Sequence, residues 1–185
     1  MSRFEIQNLP LAGLKRVTRK AHSDARGFIA RLFCDAELQE AGWIRPIRQI
    51  NHARTVQSGA LRGMHYQRPP HCEMKLVSCI RGEVWDVAVD VRAGSPTFLK
   101  WHAERLSEDN HHALLIPEGF AHGLLGGEPS RDMSGRIGVT EAIIVFGRTQ
   151  DSTGKPLAQA FERIPNAPDL HQIDSHTQNH GAERV

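Results

Sequence analysis

Apolar and polar residues alternate with a period of two through much of this chain, in short runs. Val84-Trp85-Asp86-Val87-Ala88-Val89-Asp90 shows the cleanest alternation, and Ile47-Arg48-Gln49-Ile50-Asn51-His52 repeats it. Successive side chains of a strand point to opposite faces, so this period predicts strands with one face buried. Lys75 to Ile80, Phe98 to Leu106 and Ala113 to Ile116 continue the pattern. Glu141-Ala142-Ile143-Ile144-Val145-Phe146 is too continuously apolar to be half exposed and predicts a strand covered on both faces. The opening segment alternates weakly through Phe4, Ile6 and Leu9 and reads as an edge strand or arm.

Glycine and proline punctuate these runs. Asp24-Ala25-Arg26-Gly27, Arg81-Gly82-Glu83 and Arg92-Ala93-Gly94-Ser95-Pro96 are turns, the first leading into Phe28 to Cys34. Asp35 to Gly42 carries a candidate N-cap aspartate, good helix formers and a closing glycine, which predicts one short helix. Short strands joined by tight turns predict an all-β fold, an antiparallel sandwich or barrel with one or two short helices. A single domain over residues 1–170 is expected. Gly126 to Asp132 reads as a loop, and the stretch after Phe146 has no clear period as far as Leu170. His171 to Val185 is a polar tail expected to be disordered, with His171, His176 and His180 solvated.

Composition narrows the partners. A chain of 185 residues can bury a full core as one domain. Lysine and arginine total 23 against 21 acidic residues, a net charge of +2, and the two signs are interspersed. That pattern argues against nucleic acid. No apolar stretch approaches the roughly 18 residues of a membrane span. The start, Met1 to Glu5, lacks the apolar run of a secretory signal. A cytoplasmic protein without a membrane partner is expected. Cys34, Cys72 and Cys79 have neither metal nor redox spacing and read as small buried or half-buried side chains.

The candidate chemistry lies in Leu61-Arg62-Gly63-Met64-His65-Tyr66-Gln67, in Lys75, and in Pro117-Glu118-Gly119-Phe120-Ala121-His122. A neutral histidine is the usual base for removing a proton next to a ketone, and a buried lysine can stabilise the resulting enolate. His65 and Lys75 would form such a pair if they converge. The alternative is a satisfied interior histidine and a surface lysine. A regular strand would turn Arg62 away from His65 unless it bends at Gly63. Gln49 and Asn51 share a face and can point into a barrel. A metal held by His122 with His65, His71 and Glu73 is a further possibility, but the close His-x-His pair that favours one is missing.

The same residues carry a resemblance. Asp24-x-Arg26-Gly27-Phe28, Gln49-x-Asn51, Leu61-Arg62-Gly63-Met64-His65-Tyr66-Gln67, Lys75-Leu76-Val77, Arg81-Gly82-Glu83-Val84-x-Asp86-Val87-Ala88-Val89-Asp90 and Ile116-Pro117-Glu118-Gly119-Phe120-Ala121-His122-Gly123 resemble the dTDP-4-dehydrorhamnose 3,5-epimerase family, over about residues 4–125. The resemblance implies a cupin-type jelly-roll barrel, a homodimer, and no metal or organic cofactor. It implies an isomerase that epimerises a dTDP-4-keto-6-deoxyhexose at C3 and C5 in dTDP-rhamnose biosynthesis. His65 would be the base and Lys75 the enolate-stabilising cation. Arg62 and His122 would line the sugar and phosphate pocket, Gln49 and Asn51 would contact substrate, and Arg26 would reach the nucleotide from the partner subunit.

The departures are concentrated at the C-terminal end. Arg31 stands where the family often has a glutamate that contacts the nucleotide. The family normally supplies a tyrosine as the acid on the opposite face and an aspartate that orients the histidine. The chain has one tyrosine, Tyr66, inside another motif. Phe146 lies near where the acid is expected and cannot donate a proton. Asp169 is a weak candidate for the orienting carboxylate. The resemblance ends abruptly past Leu125, as either a divergence or an altered reading frame would produce. Three readings follow: a slow or single-site epimerase, an impaired or non-catalytic nucleotide-sugar-binding barrel, and a metal-dependent cupin enzyme.

Overall fold

The computed structural model describes residues 2–57, 59–126 and 139–148. Within them the chain runs β1 (Phe4–Asn8), β2 (Lys15–Arg19), β3 (His22–Asp24), β4 (Gly27–Ile29), α1 (Asp35–Leu38), β5 (Ile47–Thr55), β6 (Leu61–His65), β7 (Glu73–Arg81), β8 (Glu83–Asp90), β9 (Trp101–Ser107), β10 (His112–Ile116), β11 (Phe120–Gly126) and β12 (Thr140–Arg148). A six-stranded sheet has the order β1-β2-β10-β7-β12-β5, and a four-stranded sheet the order β6-β11-β8-β9. The β3–β4 hairpin stands apart as a two-stranded ribbon.

Alternation sorts the side chains into layers. Val77, Cys79, Leu114 and Ile116 of the larger sheet meet Val84, Ala88, Leu106, Phe120 and Leu124 of the smaller one. The intervening residues Met74, Leu76, Ala113, Leu115 and Val145 point the other way, onto Phe4, Val17, Leu38 and Trp43. Because α1 and the N-terminal strands cover that outer face, β7 is buried at seven successive residues. Cys79, deep in the inner layer, has its thiol pushed up to about 11 by desolvation. It is structural rather than reactive.

The all-β expectation holds, and the paired sheets form the cupin-type jelly roll. Several details differ from the sequence reading. Cys34 rather than Asp35 is the N-cap residue, and the helix is only four residues long. The Asp35 carboxylate instead accepts a bond from the Ala36 backbone N–H at 2.8 Å. Of the run Phe28 to Cys34 that follows the first turn, only Phe28 and Ile29 belong to strand β4. Strand β9 begins at Trp101 because Leu99, at φ 61°, closes a turn on the Asp90 carbonyl. Gly126, the first residue of the expected loop, ends β11, while the rest of that loop, the expected polar tail and Asp169 lie outside the described residues.

Candidate active site

The functional side chains face one another from the two inner sheet surfaces. On β8 and β11, Asp86 lies between Val84 and Ala88, and His122 between Phe120 and Leu124, so both occupy inward positions. Neighbouring β6 pairs His65 directly with His122. The next pairing is Arg62 with Leu124, so β6 advances three residues while β11 advances two. This bulge cancels the parity problem at Gly63: Arg62 and His65 fall on the same inward face.

Gly63 is required for that bulge. Its φ is 141°, and a Cβ there would lie 2.6 Å from the Gly123 Cα. Gly123 is constrained in turn, since its own Cβ would meet the Met64 sulfur at 2.6 Å. The two strands therefore approach more closely than side chains would permit.

The facing sheet supplies the cations. Phe146 pairs with Lys75 on one side and Gln49 on the other, placing all three in one row across β7, β12 and β5. Asn51 lies in the next inward row opposite Ile144, and the Gln49 amide donates to its side-chain oxygen at 2.8 Å. Lys75 is 4% exposed, which excludes the surface-lysine alternative. Its ammonium is 2.9 Å from Glu73, whose other carboxylate oxygen is 2.8 Å from Arg148 Nε. Glu73, read from the sequence as a possible metal ligand, is thus tied to two cations.

Electrostatics suits His65 to the role of a base. Desolvation first, then the neighbouring His122 and Lys75, hold its imidazole below the ordinary histidine range, with Glu73 pulling the other way. A neutral imidazole at pH 7 can accept a proton. His122 Nε2 is 3.0 Å from the fully buried Asp86 carboxylate, which fixes the ring's orientation. Asp86 was missed as a site residue, although a readable signal was present: an aspartate at an apolar-parity position of a clean strand. Glu73 carried the same signal two residues before Lys75. Arg148 gave none, because it lies beyond the apolar run and its partner is set by strand pairing.

Two predicted residues stand elsewhere or are bound differently. Arg26 projects from the β3–β4 ribbon with its side chain 90% exposed and is paired only locally, to Asp24 at 2.6 Å. Arg62 turns toward β5, donating to the Arg54 carbonyl at 3.2 Å and the Thr55 hydroxyl at 3.4 Å. Tyr66 packs with Met64 and Val87 on the outer side of the smaller sheet and cannot serve the cavity. Surface clefts of about 650 and 600 Å³, lined by Phe28 and Ile29 and by Trp43 and Ile44 respectively, include none of His65, Lys75 or His122.

Residues 8–135 match the family described as dTDP-4-dehydrorhamnose 3,5-epimerase. The chain belongs to this family. A dTDP-4-dehydrorhamnose 3,5-epimerase of Shigella flexneri is 49% identical over 105 residues, covering 56% of this chain and 58% of that protein. The chain thus spans under two thirds of the length of that relative. The crystal structure of the Sulfolobus tokodaii enzyme of the same name superposes with a TM-score of 0.70 at 33% identity, covering 82% of this chain and 79% of that one. A dTDP-6-deoxy-D-glucose-3,5-epimerase from Legionella pneumophila, solved in complex with dTDP-4-keto-L-rhamnose, superposes with a TM-score of 0.70 at 34% identity, covering 82% and 75%. No helix among the described residues is long and apolar enough to cross a membrane.

Proposed function

We propose that this member of the family is an isomerase that epimerises a dTDP-4-keto-6-deoxyhexose at C3, C5 or both, in the cytoplasm, as a step of dTDP-rhamnose formation. The observation that supports this reading is the pairing of His65 with His122 on adjacent strands, with the buried Lys75 near enough for its charge to act on the His65 imidazole and Asp86 held on His122. His65 takes the proton from the carbon next to the C4 ketone. The C–H electron pair forms a carbon–carbon double bond, and the C4 oxygen takes the negative charge beside the Lys75 ammonium. Arg62, Gln49, Asn51 and His122 line the substrate pocket. Inversion then needs a proton from the opposite face.

Phe146 stands in the row between Gln49 and Lys75, where it offers no proton. Water must therefore deliver the second proton, and turnover is slow or confined to one carbon. Loss of a general acid costs about 10²- to 10⁴-fold. The working unit is a homodimer in which Arg26 reaches the partner's nucleotide. The exposed Arg26, with Phe28 at 63% and Ile29 at 74% exposure on the same ribbon, supports that role.

NMR of dTDP-4-keto-6-deoxyglucose incubated with the protein in D₂O tests the reading, with His65→Ala as control. Deuterium at C3 or C5 that disappears in the control is the expected result. Absence of exchange with intact protein would sink the enolising enzyme. A second reading, a nucleotide-sugar-binding barrel without catalysis, would then take its place, favoured by the apolar Phe146.

A further inference from the structure

Glu73, Lys75 and Arg148 form a buried charge cluster of which the proposed chemistry uses only the lysine. Their side chains are 1%, 5% and 8% exposed. Strand pairing builds the cluster: Arg148 lies directly across from Glu73 between β12 and β7, and Lys75 follows two residues along on the same face. Glu73 sits between its partners, 2.9 Å from the Lys75 ammonium and 2.8 Å from Arg148 Nε.

The charge sum matters because water barely reaches these groups. A lone Glu73–Lys75 pair would be neutral, and the carboxylate would compete with any oxyanion for the ammonium. With Arg148 on the second carboxylate oxygen, one carboxylate serves two cations, and the charges of these three side chains sum to +1. A fixed charge in a desolvated cavity favours an anion that forms there, because little reorganisation is needed at that moment. The planar guanidinium also fixes Glu73 in direction, which a point charge does less well.

We propose that Glu73 and Arg148 are positioning residues for Lys75: Glu73 pins the ammonium to the cavity wall, and Arg148 offsets Glu73 so that the lysine's charge remains available to a forming enolate oxygen. The proposal rests on the enolising reading above. It assigns to this chain's own β12 a part in the chemistry, although Phe146 on the same strand offers no proton.

Arg148→Gln and Arg148→Lys test it, with dTDP-4-keto-6-deoxyglucose as substrate and deuterium incorporation as the rate measurement. Arg148→Gln is expected to lower kcat about tenfold or more, short of the roughly 10²- to 10³-fold typical of losing a direct oxyanion donor. KM should change less than about threefold, since the effect falls on the charge developed during reaction. Arg148→Lys should recover most of the loss by restoring the charge. Wild-type kcat in Arg148→Gln, or equal losses in both variants, overturns the proposal.

A second measurement needs no turnover. In protein labelled with ¹⁵N-lysine, the Lys75 ammonium should give a signal protected from solvent exchange, assigned by its disappearance in Lys75→Met. It should persist in Arg148→Gln and vanish in Glu73→Gln. A protected signal that survives Glu73→Gln overturns the clamp whether or not the protein enolises substrate. Absence of deuterium incorporation in the wild type, with the expected ammonium behaviour, would instead fault the enolising reading and leave the clamp standing.

Discussion

Replacing Lys75 with methionine should abolish enolate stabilisation while leaving the fold nearly as stable as before. Methionine has a similar length and fills an inward position with apolar atoms. At 2.9 Å, the Lys75–Glu73 attraction is about 6 kcal/mol for an effective dielectric of about 20. Opposing it are the desolvation of the ammonium, several kcal/mol per ion, and the repulsion from Arg148 on the same carboxylate. After the substitution Glu73 keeps its 2.8 Å contact with Arg148, so no unpaired charge is left behind. The two sides nearly cancel, and the expected stability change lies within about 1 kcal/mol, or less than about 4 °C in Tm for a chain of this size.

Glu73→Gln is the contrasting change. It leaves the Lys75 cation buried without the carboxylate that faces it at 2.9 Å, which costs about 3–5 kcal/mol, or about 6–20 °C in Tm. Calorimetry or urea unfolding measures both variants, and deuterium incorporation measures activity, expected to fall about 10²- to 10³-fold in Lys75→Met. If Lys75→Met lowered Tm as far as Glu73→Gln, the idea that Arg148 is enough to satisfy Glu73 would be refuted.

Three further outcomes are expected. Gly63→Ala should destabilise by about 2–6 kcal/mol, from a positive-φ alanine and a Cβ 2.6 Å from the Gly123 Cα, and an unchanged urea midpoint would show that the bulge tolerates a side chain. Burial first, with Arg16 beside His112 and with His122 and Lys75 beside His65, lowers the titration of both histidines. The unfolded chain then binds more protons as the pH drops through about 6.5, so Tm should fall with pH below that value, less steeply in the His65→Asn/His112→Asn double variant. An equal slope in the double variant would assign the loss to other groups. Phe146→Tyr should raise inversion relative to deuterium exchange about tenfold or more by supplying a phenol between Gln49 and Lys75, and an unchanged NMR product ratio would place the acid elsewhere.

Much of the architecture was legible because it depends on local periodicity. The alternation in Val84 to Asp90 and Ile47 to His52 marks strands, and the glycine turns mark where they reverse. The pairing of β6 with β11 and of β7 with β12 was not legible, since those partners are 57 and about 70 residues apart and hydrogen bonding between them leaves no trace in either run. Helix α1 shows the limit at short range: Asp35 had the chemistry of a cap, yet the chain turns one residue earlier, at Cys34.

The sequence by itself determined the chemical inventory: a histidine, a lysine, arginines and inward polar residues set in an all-β chain, and a family resemblance reaching Leu125. Only the tertiary structure decided which of them meet. The Gly63 bulge puts Arg62 and His65 on one face, Asp86 is paired with His122, and Arg148 is brought onto Glu73 from the far end of the described chain. The physical reason is that side-chain parity is a local property, while sheet register, and with it the partner of every buried charge, is set by packing between distant strands.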